Sequence, residues 1–311
     1  MPAMVETMFS AGRKAPWHGL GVTIEEAPDS REAIRLAGLD WDVSPVPIYT
    51  SNGQIPNTIA NVRSDNGNVL GIVTERYNLV QNSEAFTFTD SLIQDGEVRY
   101  ETAGSLKDGR QIWMLAKMQQ DYDILGDKID PYLCFINSHD GTGAVRVLMT
   151  PVRVVCQNTL NLAIRQSTRS WSTTHVGDIA AKFSQAQQTL GLATNYMEAL
   201  NKEANDLVDI KLNHSQFIEV LNEILPIDTR LKERASNNVL LKREAIQRAM
   251  RQDDISKFNG TAWQVINAVS DFIGHTEPQR NTATYKENNF SRVISGDLLL
   301  DKTYDILRSV A

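Results

Sequence analysis

Four arginines, Arg146, Arg153, Arg165 and Arg169, lie between Gly141 and Gly177 with no acidic residue among them, in a 311-residue chain whose formal net charge is −7. Guanidinium groups hold anions through paired N–H donors, so local positive charge in an acidic protein points to an anionic guest. Arg153, Gln157, Asn161 and Arg165 recur at four-residue spacing. On a helix that spacing stacks side chains into one ridge, rising about 6 Å per step, close to the backbone repeat of an extended nucleic-acid strand. Arginines there would contact phosphates while the Gln157 and Asn161 amides reach base edges or sugars. Arg146 and Arg169 bracket this ridge in sequence. Trp171 and His175 follow it, an aromatic and an imidazole beside cations, as base stacking requires. A plainer reading also fits, a solvated helix face followed by a Trp anchored in a core. The missing carboxylate favours the first, because exposed helices usually alternate charge.

Other residues with chemical capacity are less organised. His139-Asp140-Gly141-Thr142-Gly143 offers two metal ligands and two glycines that let backbone N–H groups converge on a phosphate. A tight hairpin demands the same Asp-Gly pair on conformational grounds alone. Cys134 and Cys156 stand apart, without CxxC or Cys/His spacing, which excludes a zinc motif and suits buried thiols. Pro16-Trp-His-Gly-Leu-Gly21 is too short for a dinucleotide fingerprint and reads as a turn docked by Trp17. The sequence contains no GxSxG, HExxH or P-loop pattern. No catalytic residue, metal or cofactor is therefore assigned, and the weight falls on binding.

Composition bounds the class. With 41% hydrophobic and 22% charged residues the chain can bury one large or two modest cores. No run approaches the length of about 18 apolar residues needed to span a membrane, and no secretion signal opens the chain, so a cytoplasmic protein is expected. The acidic balance argues against indiscriminate nucleic-acid binding and leaves room for a local basic patch.

Two regimes must position these residues. As far as Thr150 the chain is rich in strands and turns. Asn57–Val62 and Val69–Thr74 flank Ser64-Asp-Asn-Gly-Asn68, whose Asn-Gly step supplies a hairpin turn. Val98–Ala103 and Gln111–Lys117 flank Lys107-Asp-Gly109, and Tyr132–Asn137 and Ala144–Met149 flank the His139 loop. Val43–Tyr49, broken by Pro45 and Pro47, suits an edge strand. Helices are expected over Ser30–Ala37, with Ser30 as cap, and Ser83–Gln94. From Thr150 onward the pattern turns helical. Thr150 caps, Pro151 takes the first position, and Val152, Val155, Cys156, Thr159, Leu160, Ala163 and Ile164 form a stripe. Asp178–Asp209 reads as one long acidic helix of roughly eight turns, with further helices at Ser215–Leu225, Arg230–Arg251, Thr261–Ile273 and Asp297–Arg308. The fold expected is α+β: a twisted, mainly antiparallel sheet of hairpins packed with helices, then a helical half. The boundary falls between 1–177, which includes the basic helix, and 178–311, packed on the first as one unit.

Trp17-His-Gly-Leu-Gly21, Asn137-Ser-His-Asp-Gly141, Thr150-Pro-Val-Arg-Val-Val-Cys-Gln-Asn-Thr-Leu160 and Gly260-Thr-Ala-Trp-Gln-Val-Ile-Asn-Ala-Val269 together resemble the phage/plasmid-like protein family, a domain-of-unknown-function group. The resemblance covers nearly the whole chain and implies a mobile-element origin; it carries no assigned catalytic residue. Hairpins followed by a basic helix are similar, in architecture only, to Rad52-like single-strand annealing proteins of phages. The expectation is thus a non-catalytic, recombination-associated protein that binds single-stranded DNA and forms a homo-oligomeric ring or filament. Arg146, Arg153, Gln157, Asn161, Arg165, Arg169, Trp171 and His175 form its contact set. Two alternatives stay open: an interaction factor for a host protein, docking through the acidic helix, and an enzyme on nucleotides or nucleic acid using His139, Asp140 or His175.

Overall fold

The structure, a computed structural model, describes residues 5–11, 22–24, 26, 28–92, 99–118, 122–153, 161, 162, 164, 169–190, 193–227, 233–276 and 296–310. The first half runs β1 (Val5–Ala11), β2 (Val22–Ile24), α1 (Ser30–Leu36), β3 (Val43–Thr50), β4 (Gly53–Arg63), β5 (Val69–Thr74), α2 (Asn82–Leu92), β6 (Arg99–Leu106), β7 (Gln111–Lys117), β8 (Tyr122–Ile124), β9 (Asp127–Ser138), β10 (Val145–Arg153) and β11 (Ser170–Thr173). Turn chemistry makes the hairpins. Gly67 sits at φ 73° between β4 and β5, and Lys107, Asp108 and Gly109 all take positive φ between β6 and β7. Asp29, not Ser30, caps α1, its side chain accepting from the Glu32 N–H at 2.9 Å.

The strands form two sheets where the sequence suggests one. The larger has the order β11-β10-β9-β7-β6-β1-β2, with β8 paired to β9. Its pairings are antiparallel apart from β1–β2, among the registers that are defined. The smaller is β3-β4-β5, in which β3, with Pro45 and Pro47, is an edge. Central β7 buries every residue from Ile112 to Ala116, because both faces of that strand are covered. On one face the α2 side chains meet the sheet: Phe88 lies 5.9 Å from Phe135 and Thr89 donates to Met114 Sδ at 3.4 Å. Met114 and Phe135 are register partners, so they share that face.

A correction concerns the segment after Met149. Pro151 does not open a helix; Thr150 to Arg153 continue strand β10, and Asn161, Leu162 and Ile164 have no regular structure. Val145, Val147, Thr150 and Val152 are β-branched and buried, and a run apolar on both faces satisfies helical and strand periods alike. Among the described residues β11 pairs only with Val145–Leu148, so on that side Pro151 has no ladder bond to break. Residues 154–160 lie outside the described residues.

The chain divides into two compact units, one of residues 1–120, 131–149 and 168–193, the other of 121–130, 150–167 and 194–311. Within the expected long helix the described residues are helical over α3 (Ile179–Leu190) and α4 (Ala193–Asp209), and Gly191 and Leu192 lie outside the described residues. Next come α5 (His214–Ile224), α6 (Glu233–Ala249), α7 (Asp253–Ser256), α8 (Ala262–His275) and α9 (Leu298–Ser309). Local caps fix their starts. Asn213 and Gln216 form a reciprocal capping box, Thr261 accepts from Gln264 N–H, and Asp297 accepts from Leu299 N–H. Helix α8 is buried on every side from Ala262 to Asp271, so it is the axis of the second unit, against which α6, α7 and α9 pack. Its polar residues are engaged: Gln264 donates to Met250 O at 3.0 Å and Asp271 accepts from Gln252 at 3.1 Å. A further tie in this unit is the 2.5 Å ion pair of Lys257 with the buried Asp127 carboxylate in the β8–β9 hairpin.

Candidate functional site

The arginine segment is only partly brought together. Arg146 is half-buried on β10, register partner of exposed Ser172 on β11. Arg169, half-buried, donates from Nη1 to Met149 O at 3.1 Å, and its own carbonyl accepts from Met149 N–H at 2.7 Å. Both guanidiniums act on one thiol. Burial pushes Cys134 up to about 12, and the charges of Arg146 and Arg169 pull it the other way. Arg153 lies on β10, whereas Gln157 and Arg165 fall outside the described residues. Asn161 and His175 are buried. Trp171 is half-buried in an aromatic cluster, 6.3 Å from Phe183 and 6.4 Å from Phe88, with Phe88 and Phe183 themselves stacked at 3.9 Å. Its ring packs the sheet against α2 and α3.

The best-developed polar constellation centres on His139 instead. His139 is fully buried just past the end of β9, with Nε2 2.9 Å from Asn82 Oδ1. Asn82, the first residue of α2, donates its amide to Leu39 O at 3.0 Å and Trp41 O at 3.2 Å. Those two carbonyls force the Asn82 oxygen toward His139, so the imidazole carries its proton on Nε2. Asn61 of β4 donates to the His139 carbonyl at 2.7 Å, and Asn137 to Val80 O at 3.1 Å. Trp41 meets the His139 ring edge-on at 5.5 Å, and Arg63 lies 4.3 Å above Trp41 while forking onto Asp65 at 2.7 and 2.9 Å. On the other side Tyr77 stacks on His175 at 4.4 Å and donates its hydroxyl to Ser138 O. His175 Nδ1 lies 3.0 Å from Asn78 O.

Asp140 completes this region without entering the interior. Burial would raise its carboxyl, but hydrogen bonds from the Ser138 hydroxyl and from the Thr142 hydroxyl and N–H outweigh that and hold it below the usual range. The His139-Asp-Gly-Thr-Gly143 loop is therefore a turn braced by its own aspartate. Among the described residues no group of three His, Cys, Asp or Glu could hold a metal ion. Asn61, Asn82, Trp41 and Tyr77 carry no motif. The one signal that could mark them is an amide inside an otherwise apolar strand, at Asn61 and Asn137.

Burial, with His175 nearby, lowers His139 to about 3, only partly opposed by Asp140. His175 is lowered as well, by burial first. The unfolded chain takes up a proton near pH 6.5 that the native His139 refuses. Stability from this site is complete above about pH 6.5 and is lost progressively as pH falls toward about 3. Urea midpoints measured from pH 7 to 4 should decline, and His139→Gln should flatten that decline. An unchanged slope in the variant would show that His139 titrates normally.

These elements define an α+β protein with antiparallel sheets in its N-terminal half, helices mostly in its C-terminal half, a buried imidazole–amide cluster, and arginines on β10 and just before β11. The chain belongs to the family of the domain of unknown function DUF932, which matches residues 69–294. No curated protein and no solved structure matches it. Among the described residues no helix is long and apolar enough to cross a membrane.

Proposed function

We propose that this protein binds single-stranded DNA and promotes its annealing as a non-catalytic, self-associating cytoplasmic factor of a phage or plasmid. The observation that carries the reading is the position of two half-buried arginines at one end of the large sheet, Arg146 on β10 and Arg169 just before the outermost strand β11, with Ser170 and Ser172 exposed beside them. Cations and hydroxyl donors on a sheet edge suit phosphate oxygens, which fix register without reading sequence. The acid-free run from Gly141 to Gly177 extends that character to Arg153 and Arg165 in a chain that is acidic elsewhere. Among the described residues strand β11 has a neighbour on one side only, and strand addition on the other would be a route to rings or filaments. The mobile-element origin follows the resemblance to phage/plasmid-like proteins, and the annealing role the architectural likeness to Rad52-like proteins. Asn161, His175 and Trp171 take no part in this contact surface, the first two being sealed and the third held in the aromatic cluster.

Fluorescence anisotropy with a labelled single-stranded oligonucleotide over a salt series tests it. Arg146→Gln with Arg169→Gln should weaken binding and reduce the slope of log K against log salt by about 1.4, two single-strand phosphate contacts. Exposed Arg31→Gln with Arg35→Gln on α1 serves as control. The reading fails if the native protein ignores the oligonucleotide at low salt, or if the β10–β11 variant keeps native affinity and slope.

A further inference from the structure

Four buried acceptor atoms of the first unit have no donor among the described residues: His139 Nδ1, His175 Nε2, Asn61 Oδ1 and Asn137 Oδ1. Each is a lone pair by necessity. Flipping Asn61 would set its oxygen against the His139 carbonyl, and flipping Asn137 would set its oxygen against Val80 O. Asn82 Oδ1 takes the proton on His139 Nε2, and Asn78 O takes the proton on His175 Nδ1, so the other ring nitrogens are acceptors that meet no donor among the described residues.

The four belong to one neighbourhood. Asn137 and His139 are two residues apart, and their side chains bond the same short segment, at Val80 O and Asn82 Oδ1. Asn61 is bonded to the His139 backbone, and His175 is close enough to act on the His139 ring. Tyr77 links the two histidines by stacking on one and donating to the residue before the other. Native interiors seldom leave so many polar atoms bare, so something supplies hydrogens here.

The chemistry of the set selects the occupant. Every acceptor is neutral, and the carboxylate that acts on His139, Asp140, has its Oδ1 engaged by Ser138 and Thr142. A divalent cation would enter without a thiolate or carboxylate to offset its desolvation. Water brings two donors per molecule and no charge, and a buried water makes about three hydrogen bonds with groups of this kind. We propose that His139, His175, Asn61 and Asn137 form a built site for internal water, two molecules for four lone pairs, joining β4, β9 and the segment after β11.

A crystal structure of the full chain is the direct test. Water within about 3.2 Å of His139 Nδ1 and of an Asn61 or Asn137 oxygen is the expected result. Magnetic relaxation dispersion on the same protein should count long-lived waters, and Asn137→Leu should lose at least one of them. Should that variant not fold, the native crystal structure decides alone. Three results overturn the proposal: acceptors that are dry at high resolution, a protein donor turned in to meet them, or stoichiometric metal that survives dialysis against a chelator.

Discussion

Asn82→Leu should destabilise the protein by about 4 kcal/mol, more than any other single side-chain change at the His139 cluster. Asn82 is 1% exposed and serves three partners: the carbonyls of Leu39 and Trp41 and the Nε2 proton of His139. Leucine fills a similar volume, so the loss is one of hydrogen bonding and not of packing. Each orphaned buried group costs roughly 1 to 3 kcal/mol, and the carbonyls, with a second lone pair, lie toward the lower end. Asn82→Asp separates the terms, because it still accepts from His139 but cannot donate to either carbonyl. Urea denaturation of the three proteins at pH 7 measures the effect. A loss below about 1 kcal/mol for Asn82→Leu would mean that water already competes for these groups and the cluster is not sealed.

The second large effect is expected at Gly71. A Cβ there would stand 2.4 Å from Asp140 Cα, 2.8 Å from its oxygen and 2.9 Å from its carbonyl carbon. All three are backbone atoms, so no side chain can swing aside. Gly71 is paired with Asn61 across β4–β5, and Asn61 holds the His139 carbonyl, so this is where the small sheet's backbone meets the turn after β9. Gly71→Ala should cost about 3 kcal/mol or more and expose the β9–β10 turn to proteolysis. Gly67→Ala is the proper comparison. Gly67 has φ 73° with nothing within 4 Å of an added Cβ, so only backbone strain, about 1 kcal/mol, should appear. Equal losses at the two positions would contradict the close approach.

Both effects bear on how the candidate site works. The His139 cluster lies in the interior and joins two sheets, which suits a structural fastening better than a reacting centre. The enzyme alternative based on His139 or His175 would need substrate to reach imidazoles of 0% and 3% exposure. Arg146 on β10 and Arg169 just before the edge strand β11 are half-buried instead. The phosphate-contact reading therefore moves from a helix face to a sheet edge.

What the sequence determined is what short stretches determine for themselves. Asn66-Gly67 and Lys107-Asp-Gly109 specify turns because their backbone angles are local, and they place β4–β5 and β6–β7 correctly. Thr261 and Asp297 mark helix starts for the same reason, since a cap and the N–H it satisfies are neighbours. The α+β order follows from the change of period along the chain. Tertiary structure decided everything that depends on distant partners. Thr150–Arg153 joins a strand because β9 is available to pair with it, and its local pattern fits either form. The amides of Asn61 and Asn82 meet the His139 backbone and ring across 78 and 57 residues, and no periodicity encodes such encounters. Hydrogen-bond partners of that kind are chosen by packing, when burial strips water from each group and leaves the nearest complementary atom as its only recourse.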